Sequence, residues 1–335
     1  MKYSGIGGQA VLEGIMMKNQ DKYAVAVRKP DGDIALEIKQ ETPWAVKHPW
    51  MGLPFIRGTF NFIESLKIGV GTLMYSASFY EEDEPKAGED AAKAGGEAKA
   101  ESAEQTADAS ASADTKKSST KEDLAMVGTL IFSLAFAIAL FSLLPTFIAS
   151  LLNLGDDHYL LRALLEGIIR IAIFVGYVWA VSFMKDIKRT YMYHGSEHKC
   201  INCIEHGLPL TVENVRASSK EHKRCGTSFM LIVMIISVFV FMFVRVDNIF
   251  LRLLSRILLL PVVAGLSYEF LRLAGRSESK IINALSRPGM WLQGLTTKEP
   301  TDDMIEVAIK AVEAVFDWKE FEANMDEDDG KECCG

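Results

Sequence analysis

The sequence predicts a mainly α-helical membrane protein with about four transmembrane helices, a small N-terminal cytoplasmic unit containing a β-hairpin, and a C-terminal amphipathic helix. Three observations carry that expectation. Apolar runs recur at about 124–152, 164–184, 229–246 and 249–271, each near the ~20 residues that cross ~30 Å of hydrocarbon. A polar stretch of Ala, Glu, Lys, Asp, Ser and Thr separates them from the N-terminal segment. Lys and Arg gather on the loops at one side of the runs, as they do at the cytoplasmic ends of membrane helices. The chain thus divides into 1–80, 81–123, 124–287 and 288–335.

Taken in order, residues 23–38 read as a hairpin. Tyr23–Val27 and Ile34–Ile38 flank the turn signal Lys29-Pro30-Asp31-Gly32-Asp33. Ahead of it, the Gly5/Gly7/Gly8 group marks a tight turn and close packing. It could also cradle phosphate, but it lacks the lysine of a P-loop and the dinucleotide-binding spacing. Residues 58–80 look helical, with Glu64 and Lys67 three apart and able to pair; a helix lying along the membrane or packed on another helix fits better than a full span. Residues 81–123 cannot bury enough apolar surface to offset ordering entropy, so disorder is expected.

The first span carries Pro145 as a kink, and the fourth carries Pro261. Glu166 and Arg170 lie four apart at the start of the second span and can pair. Arg252 and Arg256, early in the fourth, can snorkel. A large soluble helical core is the alternative, and the long charge-free runs in the first and third spans count against it. Lys116, Lys117 and Lys121 precede the spans; Lys185, Lys188, Arg189, Lys199, Lys220, Lys223 and Arg224 lie between the second and third; Arg272, Arg276, Lys280 and Arg287 follow the fourth. This bias expects both termini and the 185–228 loop in the cytoplasm of a multi-pass cell-membrane protein, although Arg245, Arg252 and Arg256 oppose it. Arg287-Pro288-Gly289-Met290-Trp291 reads as a break that ends the bundle. Residues 302–317 then form an amphipathic helix, N-capped by Thr301, with Met304, Ile305, Ala308, Ile309, Val312 and Phe316 near one face. That helix is the expected partner of the hairpin unit.

The net charge of -8 is unevenly spread, and nucleic-acid binding is not favoured. Cys200, Cys203 and Cys225 cluster while Cys333 and Cys334 sit at the end of the chain, a pattern of reduced thiols or metal ligands rather than of a disulfide framework.

The chemistry gathers in the 185–228 loop. Tyr193-His194-Gly195-Ser196-Glu197-His198-Lys199 is an H-x-x-E-H pattern. On a helix, His194 and His198 share one face with Glu197 beside them. Two imidazoles can then hold one zinc ion, or another divalent metal, while the carboxylate takes a proton from water, as in the inverzincins. A third ligand could come from His222, Cys225 or a downstream carboxylate, for which Glu213 and Glu269 are candidates. Glu269 stands out because an ionisable group at the end of a span is costly unless paired or functional; a salt bridge with Arg272 is its plainer role. A second arrangement is structural: Cys200-x-x-Cys203 with His222-x-x-Cys225 would close a four-ligand clamp. A third has no metal, with solvated histidines.

These residues, with Gly7–Gly14, Pro54–Gly58, Leu210–Asn214, His222–Phe229, Leu260–Gly265 and Pro288–Gln293, resemble the YqhQ-like family of membrane proteins over nearly the whole chain outside the acidic stretch. The resemblance implies a metal-dependent enzyme and brings no substrate or reaction with it. It matches at His194, Glu197, His198, Cys203, His222 and Cys225 but asks for no cysteine at 200, which favours a His194/His198/His222/Cys225 cluster over the C-x2-C clamp. Were all four bound, the site would be closed, so catalysis requires that one of them, His222 for instance, stand back from the metal. Glu13 falls inside a matching run and is a further candidate ligand; a hairpin salt bridge is its plainer role.

The expected function is metal-assisted hydrolysis at the cytoplasmic membrane surface, with Glu197 as general base and a peptide or lipid-linked substrate. The alternative is a scaffold or assembly protein with structural zinc. A transporter is disfavoured, because few ionisable residues line the span centres. The lipid bilayer is the one partner the sequence implies; self-association into a homo-oligomer is left open.

Overall fold

Four antiparallel strands open the chain: β1 (Gly7–Val11), β2 (Gly14–Asn19), β3 (Lys22–Arg28) and β4 (Ile34–Gln40), in the order β1-β2-β3-β4. The computed structural model describes residues 3–80, 128, 131–133, 135–152, 158–222, 224–244, 246, 248–276 and 279–324. The expected linker at 81–123, the acidic tail and the Arg252 side chain lie outside what is described. The expected hairpin is β3–β4, paired from Lys22↔Gln40 to Arg28↔Ile34, with Gly32 at φ 91° in its turn. The sheet is twice as large as expected, because the Gly-punctuated stretch before it also forms strands. The β1–β2 turn is Leu12-Glu13, with Glu13 at φ 48°.

Both faces of the sheet are covered, which is why β3 is a continuous apolar run rather than an alternating one. Successive side chains point to opposite faces. Tyr23, Val25 and Val27 join Val11, Met16 and Ile68 on one side. Ala24 and Ala26 join Ile15 and Met17 on the other. Ile68 belongs to α1 (Ile56–Ala77). Within α1, Glu64 pairs with Lys18 and Lys67 with Glu41, so the expected Glu64–Lys67 pair does not form. Strand neighbours simply offer each charge a closer partner than the next turn of the helix does.

The apolar helices are α2 (Ile131–Leu151), α3 (Tyr159–Val181), α6 (Gly226–Met242) and α7 (Ile249–Arg276). Between α3 and α6 run α4 (Lys185–Glu205) and α5 (Val212–Ala217). Three stretches, Ile131–Leu151, Tyr159–Val181 and Leu254–Gly275, are long and apolar enough to cross a membrane. The third expected span, α6, has 17 residues, or roughly 25 Å at 1.5 Å per residue, and falls short of that length. A five-residue π-helical segment, Ala139–Leu143, sits just before Pro145, where the ring removes a backbone donor.

The expected break at Pro288 is corrected. Residues Lys280–Thr296 form one helix, α8, with Pro288 inside it. Packing compensates for the lost hydrogen bond: α8 lies along α6, with Leu292 fully buried beside Leu231, Phe174 and Val178. Burying a side chain of this kind contributes roughly 1.5–3 kcal/mol. The last helix, α9 (Asp302–Glu313), buries Met304, Ile305, Val307, Ala308, Ala311 and Val312. It packs on β2, β3 and α4, as expected of a helix docking on the hairpin unit. Thr301 stands at its N-cap position without a side-chain capping bond.

The 185–228 segment is thus not a loop. It is largely α4, whose second half is buried on all sides: sheet and α9 against one flank, the 218–222 segment and α8 against the other.

Candidate metal centre

Helix α4 carries the H-x-x-E-H pattern with the imidazoles of His194 and His198 one turn apart, ring centroids 4.4 Å from each other. Each ring is oriented by a backbone carbonyl. His194 Nδ1 lies 3.0 Å from the Thr296 carbonyl at the end of α8, and His198 Nδ1 lies 2.6 Å from the Lys220 carbonyl. Donation from both Nδ1–H groups to these carbonyls leaves both Nε2 atoms turned away from them and available to a ligand. Histidine ligands of metals are usually fixed in this way.

The third member comes from α6. Cys225 caps that helix, its Sγ 3.4 Å from the Thr227 backbone N–H. The positive end of the helix favours a thiolate there. Cys225 Sγ lies 3.2 Å from His194 Nε2. One ligand atom from each of His194, His198 and Cys225 lies within 4.8 Å of the other two. Zinc with ordinary Zn–N and Zn–S bonds sets nitrogen and sulfur about 3.5 Å apart, so small side-chain adjustments suffice.

Electrostatics agree with the geometry. Burial opposes the Cys225 thiolate, but the imidazoles of His194 and His198 hold the thiol well below its ordinary value. Burial likewise opposes a charged His194, yet the neighbouring Cys225 raises it to about 9. A metal ion would replace that shared proton. Burial pushes the Glu197 carboxyl above its ordinary value, against the pull of His194 and His198. Its Oε2 is buried and has no hydrogen-bond partner, a costly condition for a carboxylate. A Cβ on Gly8 would come within 3.1 Å of the Glu197 carboxyl carbon and 2.6 Å of the Met16 carbonyl. Strand β1 therefore roofs this carboxylate, and glycine is required for the close approach. The His2Cys donor set suits zinc, and the unpartnered Glu197 oxygen gives such an ion's water a proton acceptor; the residues fit the group.

His222 stands beside this trio, its ring 5.8 Å from that of His198. Its Nε2 faces Glu205 Oε2 at 3.5 Å and Arg224 at 3.2 Å. The other expected ligands are not brought in. Glu13 forms an ion pair with Arg189 and receives the Tyr193 hydroxyl at 3.4 Å, docking the β1–β2 turn on α4. Glu269 takes two bonds from Arg57, at 2.7 and 2.5 Å, and so ties α7 to α1 rather than pairing with Arg272. Glu213 is exposed in the first turn of α5. Cys203 is buried in the core beneath the sheet, with Sγ 3.5 Å from the Leu208 and Pro209 carbonyls, and burial raises its thiol to about 11. Cys200 lies in the same core, its thiol raised well above the ordinary value by burial. The C-x2-C clamp is therefore not assembled: on a helix, 200 and 203 face the sheet while 194 and 198 face α6 and α8.

Sequence reading missed the groups around the trio. Glu205 is buried; it accepts from the Ser4 N–H at 3.0 Å and the Ser4 hydroxyl at 2.7 Å, and pairs with Arg224. Its signal was its place two helical turns beyond Glu197 on one face, legible only once the helix is extended to 205. Lys199 donates to the Arg216 and Ser218 carbonyls, and Asn202 to those of Ser219 and Glu221, holding the segment that carries the Lys220 carbonyl. Burial opposes ionisation of Glu205, but His222, Ser4 and Arg224 lower it from 4.5 to about 2. A depressed carboxylate contributes stability that is complete above its unfolded value and is lost as pH falls through the folded one. Stability should therefore drop between about pH 4.5 and 2, by about 3 kcal/mol in total. Glu205→Gln should flatten that part of the acid-denaturation profile; an unchanged profile would remove Glu205 as its origin.

A family described as a protein of unknown function, DUF1385, matches residues 53–318. The chain is 36% identical over 316 residues to the uncharacterized protein YqhQ of Bacillus subtilis (strain 168), a match covering 91% of this chain and 90% of the relative. No solved structure matches.

Proposed function

The chain belongs to the DUF1385 family, and on that footing we propose that it is a membrane-embedded, metal-dependent hydrolase acting at the cytoplasmic surface. One observation carries the reading: two imidazoles pinned through Nδ1 lie with Cys225 so that one ligand atom of each falls within 4.8 Å of the others, His194 Nε2 at 3.2 Å from the sulfur, next to a buried carboxylate oxygen that has no partner. His194, His198 and Cys225 would hold zinc or another divalent ion, leaving a fourth position open, as catalytic zinc sites do. When bound, the ion supplies Lewis-acid polarisation and acidifies water. Glu197 would take the proton; burial raises its carboxyl above the ordinary value, the direction that suits a general base. His222, its Nε2 turned toward Glu205 and Arg224, stands back from the ligand set.

The membrane part of the reading rests on the three long apolar helices and on their exposure: at most 22% of any such stretch is buried. Side chains such as Phe132, Phe183 and Leu258 are open on the surface, as in a lipid-facing bundle and unlike a soluble one. The basic residues around α4 favour a cytoplasmic metal centre and cytoplasmic termini. The centre adjoins the end of α3 and the start of α6, so a peptide or lipid-linked bond near the bilayer surface is the natural substrate. A scaffold with structural zinc would need a closed set of four ligands, and the separation of Cys200 and Cys203 from the trio speaks against it.

Metal analysis of detergent-purified protein tests the ligand set. Wild type and Cys200→Ala should each hold about one zinc per chain, as one three-ligand site predicts. His194→Ala, His198→Ala and Cys225→Ser should fall well below that. Equal zinc in every variant, or loss confined to Cys200→Ala, would end the proposal.

A further inference from the structure

At the other end of the apolar bundle lies a second polar site that the metal chemistry does not use. Glu166 on α3 is buried and shares one oxygen among Arg170 at 2.8 Å, Arg256 of α7 at 2.5 Å and the Thr146 hydroxyl at 3.0 Å. One carboxylate thus answers two guanidinium groups. They border a cavity of about 90 Å³ between α3, α6 and α7, which Arg162 also lines. Arg162 forms no ion pair among the described residues. Among the described residues the cavity therefore sets three guanidinium groups against one carboxylate, an excess of two positive charges walled by Gly167, Val238 and Phe241.

Unbalanced charge among apolar helices is costly and marks functional sites by default. Guanidinium forks match the oxygens of phosphate groups. The volume is several times the ~10–15 Å³ that one water needs. Position narrows the ligand further. Arg162 lies in the first turn of α3 and Arg170 about two turns deeper, roughly 12 Å along the axis at 1.5 Å per residue. With α3 crossing the bilayer as proposed above, the ladder runs inward from the level where lipid phosphates sit. Cys225 begins α6 and Phe241 lies near its end, roughly 24 Å away on the same scale, so this cavity and the metal centre occupy opposite ends of the bundle.

We propose that the cavity between α3, α6 and α7 binds a phosphate-bearing anion through Arg162, Arg170 and Arg256. The site stands independently of the metal centre. Its source is either the headgroup of an anionic phospholipid or a soluble phosphate.

Native mass spectrometry of the detergent-purified full chain tests this, with dioleoylphosphatidylglycerol, dioleoylphosphatidylcholine and inorganic phosphate as probes. Arg162→Ala leaves the Glu166 pairs in place, and Arg162→Lys keeps the charge; circular dichroism checks that both remain helical. Phosphatidylglycerol should bind about tenfold more tightly than phosphatidylcholine, and Arg162→Ala should remove that advantage, the scale of one charge-assisted hydrogen bond. Arg162→Lys should restore part of it. Displacement of the lipid by inorganic phosphate, with the same dependence on Arg162, would identify a soluble ligand; lipid binding alone would identify a headgroup. Anionic binding that ignores Arg162, or no binding of either probe, would overturn the assignment.

Discussion

Glu197→Gln should lower hydrolysis by the zinc-loaded protein about 10²–10⁴-fold, the contribution typical of a positioned general base, while zinc content stays at the wild-type level. The amide keeps the shape of the side chain but cannot take a proton. Because Glu197 is no member of the His194, His198 and Cys225 set, the metal has no reason to leave. Its burial without a partner for Oε2 adds a second signature. A carboxylate held in that condition destabilises the fold, so the metal-free Glu197→Gln protein should melt at or above the wild-type temperature. Rates would be read on membrane-anchored peptides and lipid-linked esters, and melting by circular dichroism. Full turnover in Glu197→Gln would remove it as the base. Lost turnover with lost zinc and a lower melting temperature would make it a structural residue.

Legibility in the sequence followed the range of the interaction. The trio's centre was readable because His194, Glu197 and His198 lie within one helical turn, where spacing alone fixes the shared face. Cys225 stood out by type and nearness. The Nδ1 partners were not readable, since backbone carbonyls at Thr296 and Lys220 carry no side-chain signal. Glu269 was misread for the same kind of reason: its partner Arg57 lies 212 positions away, whereas Arg272 is a turn away. Strands β1 and β2 were hidden by their glycines. Gly8 is there for the approach to Glu197 and Gly14 for the approach to Val27, so site and sheet packing overrode strand propensity. Pro288 was taken for a break because local propensity says so, while burial of Leu292 and Gln293 carries the helix past it. The apolar helices were legible by length, yet α6, the one that carries Cys225 at its cap, is the shortest of them.

Gly195→Ala should damage fold and metal centre together. Gly195 lies between the two halves of the motif on α4, and a Cβ there would stand 2.0 Å from the Lys298 carbonyl oxygen. Lys298 cannot easily give way: its N–H donates to the Tyr191 carbonyl at 2.9 Å, and two residues earlier the Thr296 carbonyl orients His194. A backbone clash of that size is overpacking without a flexible side chain to absorb it, so a loss of about 3 kcal/mol is expected. Moving the 296–298 segment away also frees the His194 ring, and zinc affinity should fall by roughly 10–100-fold, the cost of losing a group that orients a ligand. Gly294→Ala on α8 is the control: a Cβ there meets nothing within 4 Å, so it should be neutral or mildly stabilising as an alanine in a helix. Thermal melts with and without zinc separate the two effects. If Gly195→Ala melts and binds zinc like wild type, the clamp between α4 and the end of α8 does not set the His194 geometry, and the orientation argued for the centre loses its physical basis.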